Sequence, residues 1–208
     1  MKTAPFVRPY RASDREALAH ICVMTAHQGQ DSSALYPDPA LMPSIFAHPY
    51  AHLEPDFAFV LDDGTGNAVG YVLGVPDTPA FAGRYRKEWL PEVADRYPAP
   101  DGPARTPSDE MIGLLHTPER MVRDELAAFP AHLHIDLLPP WQGQGHGRTL
   151  MRTLLQALER HGVPAVHLCM VQANTPARAF YDRLGFWELA VDDPAPVWYL
   201  GRSTAVEW

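Results

Sequence analysis

Six residues in the last third of the chain, Gln142-Gly143-Gln144-Gly145-His146-Gly147, constrain the fold more than any other stretch. Before them runs an apolar segment over residues 133–138, closed by Pro139-Pro140, which reads as a strand. After them Leu150, Met151, Leu154, Leu155 and Leu158 recur at helical spacing until Gly162 and Pro164 end the pattern. A strand, a tight turn and a helix in that order make an anion site. The first N–H groups of a helix have no partner within it, and the helix dipole adds positive potential there. Glycine at 143, 145 and 147 removes the Cβ atoms that would keep a phosphate away from the backbone. Local charge agrees: from 142 to 183 there are five arginines against Glu159 and Asp182, in a chain whose formal net charge is -8.

A glycine-rich turn alone fits several proteins. A Walker loop would continue into Gly-Lys-Ser/Thr, which is absent here. A dinucleotide fold would place Gly-x-Gly-x-x-Gly early, with an acidic residue ending the next strand. That strand reads His167-Leu168-Cys169-Met170-Val171-Gln172. A purely structural turn stays open at this point.

The rest of the chain supplies an alternation of strands and helices. Residues 6–10 read as a first strand. Ser13 and Glu16 have the spacing of a capping box, and Ala17, Leu18, Ile21 and Cys22 mark a helix over 14–26. A proline-interrupted helical region spans 40–52. Residues 57–61 and 68–75 are β-rich runs separated by the turn formers Asp62-Asp63-Gly64-Thr65-Gly66-Asn67, a β-hairpin. Residues 77–130 break the pattern. This stretch holds eight of the chain's 22 prolines, and helical runs are expected around 84–94, 107–115 and 118–128. It reads as an elaboration of one domain spanning 1–208, because it lacks the apolar periodicity of a separate core. Strands at 166–171, 187–191 and 197–200 and a helix over 174–184 complete an α/β order.

Charge and composition narrow the partners. An acidic chain without a Lys/Arg block lacks the basic face that duplex nucleic acid requires. No run approaches the roughly 20 apolar residues of a membrane helix. Met1-Lys2-Thr3-Ala4-Pro5 has no apolar run behind the charge, so the cytoplasm is the expected location. Cys22 and Cys169 lie in apolar-periodic segments and are expected to be buried free thiols.

Gln142-x-x-Gly145-x-Gly147, following a strand and opening an amphipathic helix, resembles the pyrophosphate motif of the GNAT superfamily of acyl-CoA N-acyltransferases. A second GNAT-like signature follows about thirty residues on: Asn174-x-x-Ala177-x-x-Phe180-Tyr181-x-x-x-Gly185-Phe186. Two motifs in order are far more specific than either alone. The phrases Phe81-Ala82-Gly83-Arg84-Tyr85 and Phe129-Pro130-Ala131-His132-Leu133-His134-Ile135-Asp136, with the long insertion, also resemble the acetyltransferase-like domain found beside O-GlcNAc hydrolases. The resemblance implies a mixed, mostly antiparallel twisted sheet flanked by helices, with the insertion between the third and fourth strands.

The resemblance also implies roles. Acetyl-CoA would be the co-substrate, its pyrophosphate cradled by the backbone of Gln142, Gly143, Gln144, Gly145, His146 and Gly147, with Arg148 adding a contact. The segment Asp136-Leu137-Leu138 would splay from its neighbour and bond the pantetheine arm, with Asn174, Ala177 and Phe180 on the other side. Asp136 is the candidate general base for an amine, and Tyr181 the candidate acid for the departing thiolate. Each has a plainer reading, a strand-end hydrogen bond for Asp136 and aromatic packing for Tyr181. Phe81, Tyr85, Trp89, Tyr97 and His116 either wall an acceptor pocket or pin the insertion to the sheet, and the second fits a hydrophobic cluster better.

By alternation His132, His134 and Asp136 share a face, and His-x-His-x-Asp can present three zinc ligands. The hydrolase form of that pattern expects a further His where Leu137 stands, so no metal is expected. The expected activity is therefore acetyl transfer to an amine whose identity the sequence leaves open. Two rivals stand beside it, an acetyl-CoA-binding module without turnover and a metal-dependent hydrolase on those three residues. Exchange of the last two strands between subunits would give a homodimer.

Overall fold

The computed structural model describes residues 3–205. Seven strands form one sheet: β1 (Phe6–Pro9), β2 (Ala58–Asp62), β3 (Ala68–Val75), β4 (Ala131–Leu137), β5 (Ala165–Val171), β6 (Trp187–Leu189) and β7 (Val197–Ser203). Their order is β1-β2-β3-β4-β5-β7-β6. Every neighbouring pair is antiparallel except β4 and β5. This is the mixed, mostly antiparallel sheet expected above.

The β4–β5 pair is the feature that positions the site. It is held only at Ala131↔Val166 and His132↔His167. Beyond those residues β4 stays with β3 as far as Leu137↔Gly70, and β5 stays with β7 as far as Val171↔Val197. Each strand keeps its outer partner and loses its inner one, so the sheet forks.

The helix α7 (His146–Arg160) packs on one face of the fork through Leu150, Met151, Leu154, Leu155, Ala157 and Leu158, all buried against Val72, Leu133, Val166, Leu168 and Leu200. Burying a leucine this fully is worth about 2–5 kcal/mol against alanine, so the start of α7 is fixed relative to β4. The opposite face carries α1 (Arg15–Thr25), α2 (Leu41–Phe46), α3 (His48–Leu53) and the long β3–β4 connection.

Several local expectations are corrected. The cap of α1 does not use Ser13 and Glu16. Asp14 instead accepts the Arg11 N–H at 2.8 Å. The same carboxylate, buried, also takes two bonds from Arg8, which reaches on to Asp62 at 2.8 Å. A carboxylate that satisfies a buried guanidinium outcompetes a surface cap, because an unpaired buried charge costs several kcal/mol. The proline-interrupted helical region expected over 40–52 is present as two short helices, the chain turning at Ala47 ahead of Pro49.

In the connection, α4 (Thr78–Arg84) starts earlier than expected, capped by Asp77 on the Ala80 N–H. It runs through a wide π turn over Tyr85–Trp89 into α5 (Leu90–Val93). The next helix, α6 (Pro107–Leu115), falls on the expected residues, with Thr106 and Asp109 closing a capping box. Residues 118–128 are not one helix but two 3₁₀ turns, Pro118–Met121 and Asp124–Leu126. The break leaves Arg123 extended, with its side chain on Asp193 at 2.7 Å. Phe81, Tyr85, Trp89 and Tyr97 are buried in the cluster with α1–α3, and His116 Nε2 bonds the Tyr97 carbonyl at 2.7 Å. These aromatics pin the connection to the sheet.

Candidate functional site

Beyond the end of β4 the chain passes a 3₁₀ turn, Pro139–Trp141, and reaches the glycine-rich loop. Gly143 and Gly145 adopt φ of 71° and 86°, the left-handed region that costs other residues about 1–2 kcal/mol. Nothing lies within 4 Å of a Cβ placed on either, so the loop's outer side is open. Gly147 is constrained differently: a Cβ there would press on the Phe180 ring at 3.2 Å. Its small size brings α7 against α8 (Thr175–Arg183).

The glutamine side chains brace the loop. Gln142 Nε2 donates to the Leu137 carbonyl at 2.8 Å, and Gln144 Nε2 to Pro140 at 2.6 Å. The loop backbone is what remains to meet a ligand. Helix geometry leaves the N–H groups of His146, Gly147 and Arg148 without intrahelical acceptors, since the first such bond runs from Thr149 to Gly145. Arg148 is exposed beside them.

Leu138 donates its N–H to Val69 at 3.0 Å and accepts from Trp141, so its backbone is committed to β3 and the turn. Alternation then directs the Leu137 N–H into the fork. Of the two leucines expected to meet a pantetheine arm, Leu137 faces the gap and Leu138 does not.

On the other bank Asn174 caps α8 by accepting the Ala177 N–H at 3.3 Å, and Phe180 packs edge-on against Tyr181. Asn174 and Pro176 also line a pocket of about 220 Å³ with His27, Gln28 and Gln30 from the loop after α1. That loop, at one end of the fork, is a contribution the sequence did not signal.

Asp136 lies on β4 past the point where the strands part. Tyr71, its cross-strand neighbour and fully buried, donates its hydroxyl to Oδ2 at 2.7 Å. Burial pushes the Asp136 carboxyl up from 3.8 to about 6, against the opposing effect of the Tyr71 bond. Burial, then the nearby Asp136 charge, also pushes the Tyr181 phenol up. Near pH 7 the site thus holds an ionised but weakly basic carboxylate and a protonated phenol. Sequence reasoning missed Tyr71 because it sits in an otherwise apolar strand and is tied to Asp136 only by register.

The two histidines beside Asp136 do other work. His134 Nε2 and His132 Nε2 meet the Tyr50 hydroxyl at 3.0 and 3.1 Å, and His132 Nδ1 meets Thr78 Oγ1 at 2.8 Å. Burial keeps both neutral, pulling His132 well down and His134 to about 4. Among the described residues no group of three His, Cys, Asp or Glu side chains is gathered as a metal ion would need. The thiols correct another expectation: Cys22 is buried but Cys169 is exposed. Yet burial still pushes the Cys169 thiol up. Both hold for a thiol with solvent on one side and protein on the other.

A mixed sheet that forks between β4 and β5, with a glycine loop opening α7 and with the Asp136 carboxylate near the Tyr181 phenol, defines the class of α/β protein to which the chain belongs. Comparison with known proteins gives the family. The Acetyltransferase (GNAT) family model matches residues 109–186. The crystal structure of SsHAT is 65% identical, covers 98% of this chain and 100% of its own, and superposes with a TM-score of 0.95. Protein O-GlcNAcase of Mus musculus is 28% identical over 204 residues, 95% of this chain; the chain spans only 22% of that relative's length. PaiA N-acetyltransferase from Thermoplasma acidophilum, solved in complex with coenzyme A, shares the fold at 10% identity and a TM-score of 0.59, over 97% of this chain and 99% of its own. The chain belongs to the GNAT family of acetyltransferases.

Proposed function

We propose that this protein transfers an acetyl group from acetyl-CoA to an amine, using the β4–β5 fork as its active site. The observation that carries the reading is Asp136: a half-buried carboxylate raised to about 6 by desolvation and held by the Tyr71 hydroxyl at 2.7 Å, on the strand that parts from its neighbour.

The loop backbone from Gln142 to Gly147 holds the pyrophosphate, with Arg148 at its edge. The pantetheine arm lies between Leu137 on one bank and Asn174, Ala177 and Phe180 on the other. Asp136 takes a proton from the acceptor ammonium, directly or through water, and the freed nitrogen attacks the thioester carbon. The Leu137 N–H is placed to stabilise the oxyanion as the tetrahedral intermediate forms. Collapse breaks the C–S bond as Tyr181 donates its proton to the thiolate; the nitrogen's second proton returns to the Tyr181 phenolate through water, and the proton held by Asp136 passes to solvent. The products are an N-acetylated amine and free CoA.

Titration calorimetry with acetyl-CoA, paired with a thiol-release assay over a broad amine panel, tests this. Wild type should bind acetyl-CoA and release thiol. Gly145→Glu should lose binding while staying folded, since the new side chain puts negative charge where the pyrophosphate would sit. Unchanged affinity in that variant would remove the loop from the site. Tight binding without thiol release from any amine would leave a CoA-binding module instead.

A further inference from the structure

One cation near the fork, Arg120, has no part in the acetyl-transfer scheme. Arg120 sits in the 3₁₀ turn Pro118–Met121, partly buried. Its guanidinium makes one long bond, 3.4 Å to the Thr117 carbonyl, and among the described residues it has no carboxylate partner. The neighbouring acids are engaged elsewhere. Glu119 is clamped by Arg86, Glu125 accepts the Asp192 N–H, and Asp193 is shared by Arg123 and Tyr199.

The location follows from contacts and register. Met121, the next residue, places its sulfur 3.7 Å from the Tyr50 hydroxyl, which bridges His132 and His134. Pairing of β4 with β5 ends at His132↔His167, so His134 and Cys169, two residues further along each strand, face one another across the opening. Burial sets the direction of both their shifts, His134 down to about 4 and Cys169 up, and the Arg120 charge acts on each. Arg120 therefore overlooks the mouth of the fork from the β3–β4 connection. The groups around it, Tyr50, His134 and Cys169, carry no negative charge near pH 7. A partly buried cation with no counter-ion, over a cleft, calls for an anion from outside. Asp136 is two residues from His134 on the same face of β4, roughly 7 Å along the strand.

We propose that Arg120 is the carboxylate-binding residue of the acceptor subsite, and that the acceptor is an amine carrying a carboxylate a few bonds from its nitrogen. This rests on the acetyl-transfer reading above. The amine then lies beside Asp136 while the carboxylate meets the guanidinium, which orients the nitrogen towards the thioester. The β3–β4 connection thereby supplies a specificity determinant as well as packing.

Thiol release from acetyl-CoA is measured with 4-aminobutyrate, 5-aminovalerate and Gly-Gly, each against its decarboxylated or amidated counterpart. A further arm uses Glu-Ala amide, whose only carboxylate is a side chain, to separate a free amino acid from an acidic peptide terminus. A charge-assisted bond of this kind implies a preference in kcat/KM of about 10–100-fold for the carboxylated amine. Arg120→Gln should abolish that preference through KM, leaving the acetyl-CoA Kd as in wild type. Equal use of both members of each pair, or a preference that survives in Arg120→Gln, overturns the proposal while leaving acetyl transfer standing. Loss of acetyl-CoA affinity in Arg120→Gln also overturns it, by assigning the arginine to the cofactor. If no amine is turned over, the same contrast is read as binding of N-acetyl-4-aminobutyrate and N-butylacetamide to the CoA-loaded protein. Equal affinities there count against the proposal.

Discussion

Replacing Tyr71 with phenylalanine isolates the bond that tunes Asp136. The Tyr71 hydroxyl reaches Oδ2 at 2.7 Å, and it favours the ionised carboxylate against the burial that raises the group to about 6. A hydrogen bond to a charged group is worth about 1.5–3 kcal/mol, and one pKa unit about 1.4 kcal/mol. Tyr71→Phe should therefore lift Asp136 by about one to two units, to about 7–8. At pH 7 the ionised fraction would fall from roughly nine-tenths to between a half and a tenth. Turnover by thiol release should drop about 2–10-fold at pH 7 and return towards wild type near pH 9, with the acid limb of the profile displaced by the same one to two units. A ¹³C titration of the labelled carboxyl reports the shift without turnover. A profile superimposable on wild type would refute the argument. So would an equal loss at every pH, since a general packing defect has no reason to move the acid limb alone.

Asp136 also makes a prediction about stability. Its folded pKa lies above the 3.8 of the unfolded chain, so the folded protein binds more protons between pH 3.8 and about 6, and stability falls as pH rises through that window. Above it the ionised carboxylate costs up to about 3 kcal/mol. Asp136→Asn keeps an acceptor for Tyr71 and should be the more stable protein in urea at pH 8, with the gap closing by pH 4; a less stable variant at pH 8 would contradict this. Tyr181→Phe should lower turnover towards the smaller end of the ~10²–10⁴-fold range for proton-transfer groups, because a thiolate leaves readily, while acetyl-CoA affinity holds in calorimetry. An unaffected rate would take Tyr181 out of the mechanism. Tyr50→Phe removes the hydroxyl shared by His132 and His134 and should cost about 1–3 kcal/mol in denaturant melts, with acetyl-CoA affinity intact. A binding loss like that of Gly145→Glu would show that the histidine pair supports the cofactor side instead.

What local sequence can encode was legible. The glycine loop, α7 and the helix after Asn174 are each set within a dozen residues by dihedral preference and helical period, and they appear where spacing placed them. The two motifs also fix the family, because each is a contiguous pattern. The misread segments are those where a distant partner outweighs local preference. The helix start moves from the Ser13–Glu16 pattern to Asp14, which accepts the Arg11 N–H while pairing with buried Arg8, and residues 118–128 are broken at Arg123, which reaches Asp193. Cys169 lies in a strand that reads as buried, yet it is wet because β4 has turned away from it.

The sequence by itself determined that a strand, a glycine loop and a helix follow one another and that Asp136 shares a face with His132 and His134. Only the tertiary structure decided what those groups can do. It brought Tyr71 across from β3, gave the histidines to Tyr50, parted β4 from β5, and left Arg120 with no carboxylate partner among the described residues. The physical reason is common to all four. Desolvation, register and charge pairing depend on which atoms surround a group, and those atoms come from positions up to 84 residues away in the chain.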